Sequence, residues 1–113
     1  MEKKELKPVE PREFFGKNEE LACPVECGVM AHAFMEECLE KFKRRAKGEG
    51  RTLTPWKDFS TAHLFERLLE EFQELIDAGD EKDTLSIMDE AMDVANFAWF
   101  IYEQAKAAHE AGA

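Results

Sequence analysis

From residue 29 onward, apolar residues return every third or fourth position, and this spacing predicts an all-α protein. A first helix is expected over 29–47, where Met30, Phe34, Cys38, Phe42 and Ala46 form one stripe and Gly48 and Gly50 supply the stop. A second is expected over 60–78, with Ser60 or Asp58 as N-cap and Gly79 ending it. A third is expected over 81–109, capped by Asp80. Between the first two lies a connector, residues 48–59, which holds Pro55 and Trp56. Upstream, Pro8, Pro11, Gly16, Pro24 and Gly28 break any regular pattern. Residues 1–28 therefore read as an N-terminal arm, with Phe14, Phe15 and Leu21 as anchors and a short helical turn between Pro11 and Leu21. Residues 29–113 read as one domain, a bundle of three long helices.

The faces of these helices differ. On a wheel of about 100° per residue, Leu64, Phe65, Leu68, Phe72, Leu75 and Ile76 cover one side of the second helix. His63, Glu66, Glu70 and Asp77 point away, into solvent. Glu71 lies at the edge of the apolar side, with Glu74 beside it and further out. The third helix is apolar nearly all round, as expected of a helix covered on most sides. That is more apolar surface than two neighbouring helices cover, so a homodimer or homotetramer is expected. Met30, Met35, Met88 and Met92 fall at helical spacings and read as core filler.

Into this apolar helix the chain inserts Glu90-x-x-Asp93, and the preceding helix carries Glu71-x-x-Glu74. Residues three apart share a helical face. Packing the two helices together brings four carboxylates to one place, which is strongly disfavoured unless cations compensate them. An E-x-x-E alone arises by chance in any Glu-rich helix. Glu90 and Asp93 are harder to dismiss, because their helix offers no solvated face. Mg²⁺ takes hard oxygen ligands and keeps sites for water and phosphate, so a Mg²⁺ site built on Glu71, Glu74, Glu90 and Asp93 is expected. A di-iron bundle needs Glu-x-x-His; the residues three before His32, His63 and His109 are Val29, Ser60 and Lys106, so that alternative fails.

Composition narrows the partners. A net charge of −10 opposes binding to polymeric nucleic acid, which needs a basic surface. Three cysteines cannot complete an intramolecular disulfide framework, so reduced thiols and a cytoplasmic home are expected. No apolar run approaches a membrane span, and no signal peptide is visible. Cys23, Cys27, His32 and Cys38 offer a zinc-like grouping. Against it, there is only one close cysteine pair, and Cys38 falls on the apolar stripe of the first helix. His63 and His109 read as solvated.

The segments LLEEFQEL, with Glu71 and Glu74, and DEAMDVANFAWFIYE, with Glu90 and Asp93, resemble the MazG-like all-α nucleoside triphosphate pyrophosphatase superfamily. The resemblance spans residues 56–103, and Asn96 and the upstream Trp56 fit it too. It implies a helical bundle completed by dimerisation. It also implies Mg²⁺-dependent hydrolysis of a (d)NTP to the monophosphate and pyrophosphate, with Glu71, Glu74, Glu90 and Asp93 as metal ligands. One of the glutamates, Glu71 or Glu74, then helps deprotonate the attacking water. Asn96 either touches the nucleotide or satisfies backbone and orients Asp93. Trp56, Phe97 or Phe100 could stack a base, and Lys57, Arg67 or the Lys43–Arg45 cluster could hold phosphates, Arg67 being the best placed. Two alternatives stay open: a non-catalytic metal- or nucleotide-binding oligomer of the same fold, and a helical interaction protein whose acidic patch meets a basic partner.

Overall fold

Four helices occupy most of residues 24–112, which the computed structural model describes: α1 (Pro24–Glu49), α2 (Pro55–Asp58), α3 (Thr61–Glu81) and α4 (Thr84–Glu110). Among the described residues there is no strand, so the protein is an all-α helical bundle. The expected anchors Phe14, Phe15 and Leu21, the helical turn before them and Cys23 lie outside the described residues. The chain divides into two units, Met1–Phe34 and Met35–Ala113, and the second carries every residue of the site described below. No helix among the described residues is long and apolar enough to cross a membrane.

The helix ends follow local chemistry, with three corrections to the pattern. α1 is described from Pro24, so it already covers the residues ahead of the expected Val29. It ends as expected near Gly50, whose φ of 64° is the left-handed conformation that closes a helix. The Arg51 N–H then reaches back to Ala46 O at 2.9 Å. α3 is capped by Ser60, whose hydroxyl accepts from the His63 N–H at 3.1 Å. It does not stop at Gly79; it runs to Glu81 and closes at Lys82, φ 56°. The cap of α4 is Asp83 rather than Asp80, since the Asp83 carboxylate accepts from both the N–H and the hydroxyl of Ser86. Two residues, Lys82 and Asp83, thus separate α3 from α4, and so tight a link forces them antiparallel. Replacing Ser60 with Ala removes the α3 cap and is expected to cost about 1 kcal/mol in urea unfolding.

Aromatic packing gathers the second unit around Phe100. Phe42 of α1 lies 5.0 Å from it and 5.6 Å from Trp99. Trp56 of α2 packs on the same two rings, at 5.2 Å from Trp99 and 6.1 Å from Phe100. Gln104 fastens this end by donating from Nε2 to Trp56 O at 3.2 Å and Phe59 O at 2.8 Å. Cys38, Ala46, Leu64, Ala78 and Phe100 are buried, but Met30 and Phe34 of the expected α1 stripe are exposed, as are Met35 and Met88, expected as core filler.

Two expectations invert. The expected inward face of α3 is only partly covered: its Phe65, Phe72 and Ile76, with Leu69 beside them on one stripe, are between 41 and 67% exposed. And α4 does not bury its apolar residues first. Its buried positions are Asp93, Asn96 and Phe100, while Leu85, Met88 and Tyr102 face outward.

Candidate metal centre and pocket

The antiparallel register of α3 and α4 decides which side chains meet. Thr61 donates to Gln104 at 2.6 Å, and the Arg67 guanidinium sits 5.2 Å from the Phe97 ring centroid. One turn further up α3 is Glu71, and one turn further down α4 is Asp93, so these come level. The next three residues in each direction bring Glu74 level with Glu90. The two acidic pairs are therefore in register across the hairpin.

Glu71, Glu90 and Asp93 each offer a carboxylate oxygen, all three within 4.8 Å of one another. Glu71 and Asp93 are buried, Glu90 is half-buried, and Glu74 stands exposed at the rim. Burial is the main force raising the Glu71 carboxyl, from an ordinary 4.5 to about 7; hydrogen bonding with Glu74 and the charges of Asp93 and Glu74 add to it, and Arg67 opposes it. Glu90 is raised as well, by burial first and then by the negative charges of Glu74 and Asp93. No donor reaches two of the buried oxygens, Glu71 Oε2 and Glu90 Oε2. Glu74, the group that interacts with both side chains, has as an ionised carboxylate no proton to donate to them.

Cations already balance the rest of the cluster. Lys41 of α1 is buried, and its ammonium is fully used: it lies 2.7 Å from Asp89 Oδ1 and 2.9 Å from Asp93 Oδ1, and donates to Asp89 O at 2.9 Å. Arg45, one turn on, reaches Asp93 Oδ1 at 3.3 Å. Arg67 holds Glu71 Oε1 at 2.7 Å and also pairs with Glu70. The pattern alone missed Lys41. Its one signal was a charged residue three positions after Cys38 and one before Phe42, on the inward side of α1. Asn96, buried, donates from Nδ2 to Cys38 O at 3.0 Å, tying α4 to α1.

Beside the cluster opens a pocket of about 580 Å³, the size range of small-molecule sites. Asp93 and Arg67 belong to both cluster and pocket. Lys41, Arg45, Arg51 and Arg67 give the pocket positive charge, and Phe42, Phe59, Phe97 and Phe100 give it apolar surface. Arg67 and Asn96 line it. Trp56 and Lys57 do not: Trp56 is spent on Trp99 and Phe100, and Lys57 points to solvent. Of the Lys43–Arg45 cluster only Arg45 reaches the pocket. His63, expected to be merely solvated, also lines it, with its ring 4.6 Å from that of Phe59.

No protein-family model matches the chain. It is 38% identical over 73 residues to an uncharacterized protein of Archaeoglobus fulgidus, a match covering 65% of this chain and 78% of that one. The chain belongs to the family of this archaeal protein. A solved structure shares its fold: the crystal structure of a predicted coding region from Archaeoglobus fulgidus, 36% identical, covers 69% of this chain and 93% of its own, with a TM-score of 0.66. Family membership thus carries the helical bundle with it but brings no activity, and the chemistry of the site has to be argued from its residues.

Proposed function

We propose that this protein is a Mg²⁺-dependent nucleoside triphosphate pyrophosphohydrolase of the MazG-like all-α type, cleaving a (d)NTP to the monophosphate and pyrophosphate. The observation that carries this reading is the pair of orphaned buried oxygens, Glu71 Oε2 and Glu90 Oε2, beside Asp93 at the end of a cationic, aromatic-walled pocket. Buried acceptors without donors are costly, and a hard divalent cation is the partner they suit.

The donor set fits Mg²⁺: it is all oxygen, on two rigid helices. Glu71, Glu90 and Asp93 would hold the ion, with Glu74 joining from the rim. When bound, the metal polarises phosphoryl oxygens and acidifies water. The chain supplies the remaining work. Arg67 and Arg45, both exposed to the pocket, hold the phosphates by charge-assisted hydrogen bonds. Lys41 keeps Asp93 in place through its fixed contacts. One of the two glutamates of α3, Glu71 or the rim-exposed Glu74, accepts a proton from water. The water oxygen bonds to the α-phosphorus as the bond from that phosphorus to the bridging oxygen breaks, and pyrophosphate leaves.

A non-catalytic metal- or nucleotide-binding oligomer is the second reading. It is favoured by one observation: Lys41 and Arg45 already occupy Asp93 Oδ1 and compete with a metal there. Pyrophosphate release from a panel of (d)NTPs, with and without Mg²⁺, separates the two. Turnover supports the enzyme. No turnover together with a Mg²⁺-dependent rise in Tm supports the binding protein, and neither response sinks both.

The active form is a homodimer in this proposal, joined through the α3 stripe of Phe65, Leu69, Phe72 and Ile76. A row of exposed apolar side chains at this spacing is what a partner helix covers. Replacing Leu69 and Phe72 together with Lys is expected to give a monomer in sedimentation equilibrium where the wild type is a dimer. A wild type that sediments as a monomer at micromolar concentration removes this part of the proposal.

A further inference from the structure

The end of the pocket remote from the carboxylates is built from the connector. α4 sets the scale: at 1.5 Å per residue, Phe100 lies about 10 Å along the helix from Asp93. The connector is fastened at that far end, by Trp56 on Phe100 and by Gln104 on the carbonyls of Trp56 and Phe59. Asp58 sits between those two fastenings and lines the pocket with Thr52, Phe59 and His63. A triphosphate and its sugar bridge such a distance, so the base of a nucleotide held at the carboxylate end arrives here.

The chemistry of the Asp58 cluster is one-sided. Thr52 Oγ1 and Thr54 Oγ1 both lie within hydrogen-bond reach of Asp58 Oδ2, the latter at 3.1 Å. An ionised carboxylate only accepts, so both hydroxyl protons are committed to Asp58. The Thr54 N–H is committed too, to Thr52 Oγ1 at 3.0 Å. What this cluster has left for a ligand is lone pairs: Asp58 Oδ1 and the spare acceptor sites of its neighbours. Phe59 and His63, their rings 4.6 Å apart and tilted by 32°, add apolar surface beside it for a flat ring.

We infer that Asp58, fixed by Thr52 and Thr54, is a specificity residue that reads the base, selecting nucleotides whose base carries an exocyclic amino group over those of uracil and thymine. The inference rests on the pocket binding a nucleotide, as proposed above, and names the substrate class of that site. Guanine, adenine and cytosine bring N–H₂ donors to the Asp58 carboxylate, which only accepts. Uracil and thymine bring two carbonyl oxygens around a single N–H, so acceptor meets acceptor.

The test pairs kinetics with binding. Wild-type protein and the Asp58→Asn variant are assayed for pyrophosphate release from GTP, ATP, CTP, UTP and dTTP with Mg²⁺. Binding of GMP, CMP and UMP is followed by calorimetry, which needs no turnover. The wild type is expected to favour amino-bearing bases by about tenfold or more in kcat/KM. Asp58→Asn, which puts a donor where an acceptor stood, is expected to bring that ratio near one, with the change falling mainly on KM. Thr54→Val, which loosens Asp58 without changing its charge, is expected to lower the ratio less; it serves in place of Asp58→Asn should circular dichroism show the latter unfolded. Unchanged base ratios in a folded variant overturn the inference, as does a wild type indifferent to the base. If no triphosphate is hydrolysed but GMP and CMP bind more tightly than UMP and the difference vanishes in Asp58→Asn, the base site stands and the pyrophosphohydrolase reading falls.

Discussion

Glu71→Gln is expected to lower Mg²⁺-dependent pyrophosphate release by roughly 100-fold or more, because loss of a side chain that merely supports a metal ligand already costs about 10- to 100-fold. The same substitution is expected to stabilise the metal-free fold. The sign follows from linkage. In the folded protein Glu71 is raised from 4.5 to about 7, so between these values the native state holds more proton than the unfolded chain. This group's share of stability is fully present below about 4.5 and is lost as pH rises through about 7. Glu90 is shifted in the same direction, so it adds to the slope. Metal-free wild type is therefore expected to melt at a lower temperature at pH 8 than at pH 5.5. Glu71→Gln is expected to flatten that slope and to raise Tm at pH 8 by about 5 °C. Mg²⁺ is expected to raise the Tm of the wild type at pH 8 and to do little for the variant. Opposite effects on activity and stability are the mark of a group held at a cost for its function. If Glu71→Gln hydrolyses substrate at the wild-type rate, the carboxylate cluster is not the reaction centre.

Lys41→Ala is expected to destabilise the protein by about 3 kcal/mol, the usual cost of removing one partner from a buried ion pair. Lys41 and Asp93 are both buried, with only 4 and 8% of their side chains exposed, so water cannot replace the lost ammonium. Asp89 loses its ionic partner and its backbone carbonyl loses a donor at the same stroke. In urea unfolding this appears as a lower midpoint with an unchanged m-value. Asp93→Asn in the Lys41→Ala background is expected to recover part of the loss, since it removes a buried charge left with the half-exposed Arg45 as its partner. Mg²⁺ is expected to stabilise Lys41→Ala more than wild type, because the competing cation at Asp93 is gone. A loss under about 0.5 kcal/mol is what an exposed, water-screened pair gives, and it would remove Lys41 from the description of the site.

The two variants divide the cluster into its parts. Lys41, Arg45 and Arg67 settle one oxygen each of Asp93 and Glu71, and this makes the arrangement foldable without metal. The remaining oxygens of Glu71 and Glu90 are left unsatisfied, which gives a divalent cation a reason to bind. A cluster with every oxygen paired would be structural; one with none paired would not fold.

Much of this was readable before any coordinates, and what was readable is local. Helix type follows from the 3.6-residue repeat. The Ser60 cap follows from a hydroxyl three residues before the N–H it serves. The placement of Glu71 inward and Glu74 at the rim follows from their angles on one helix. Each depends only on neighbours along the chain. Where local signals competed, they misled: Gly79 and Asp80 looked like a helix break, but the chain carries α3 past both and leaves the turn to Lys82 and Asp83.

The sequence by itself determined four local facts: the helices, the Ser60 cap, two acidic pairs, and an apolar excess on α4. Only the tertiary structure decided that the pairs stand in register, because register depends on where a two-residue link ends one helix and starts the next. Only it decided that Lys41 is buried while its neighbours Lys43 and Arg44 are not, because that depends on how α1 meets α4. And only it brought Thr52 and Asp58, from an unremarked connector, to the far end of the pocket. Contacts between residues some fifty positions apart, such as Lys41 and Asp93, are set by packing between helices, and no periodicity within a helix encodes them.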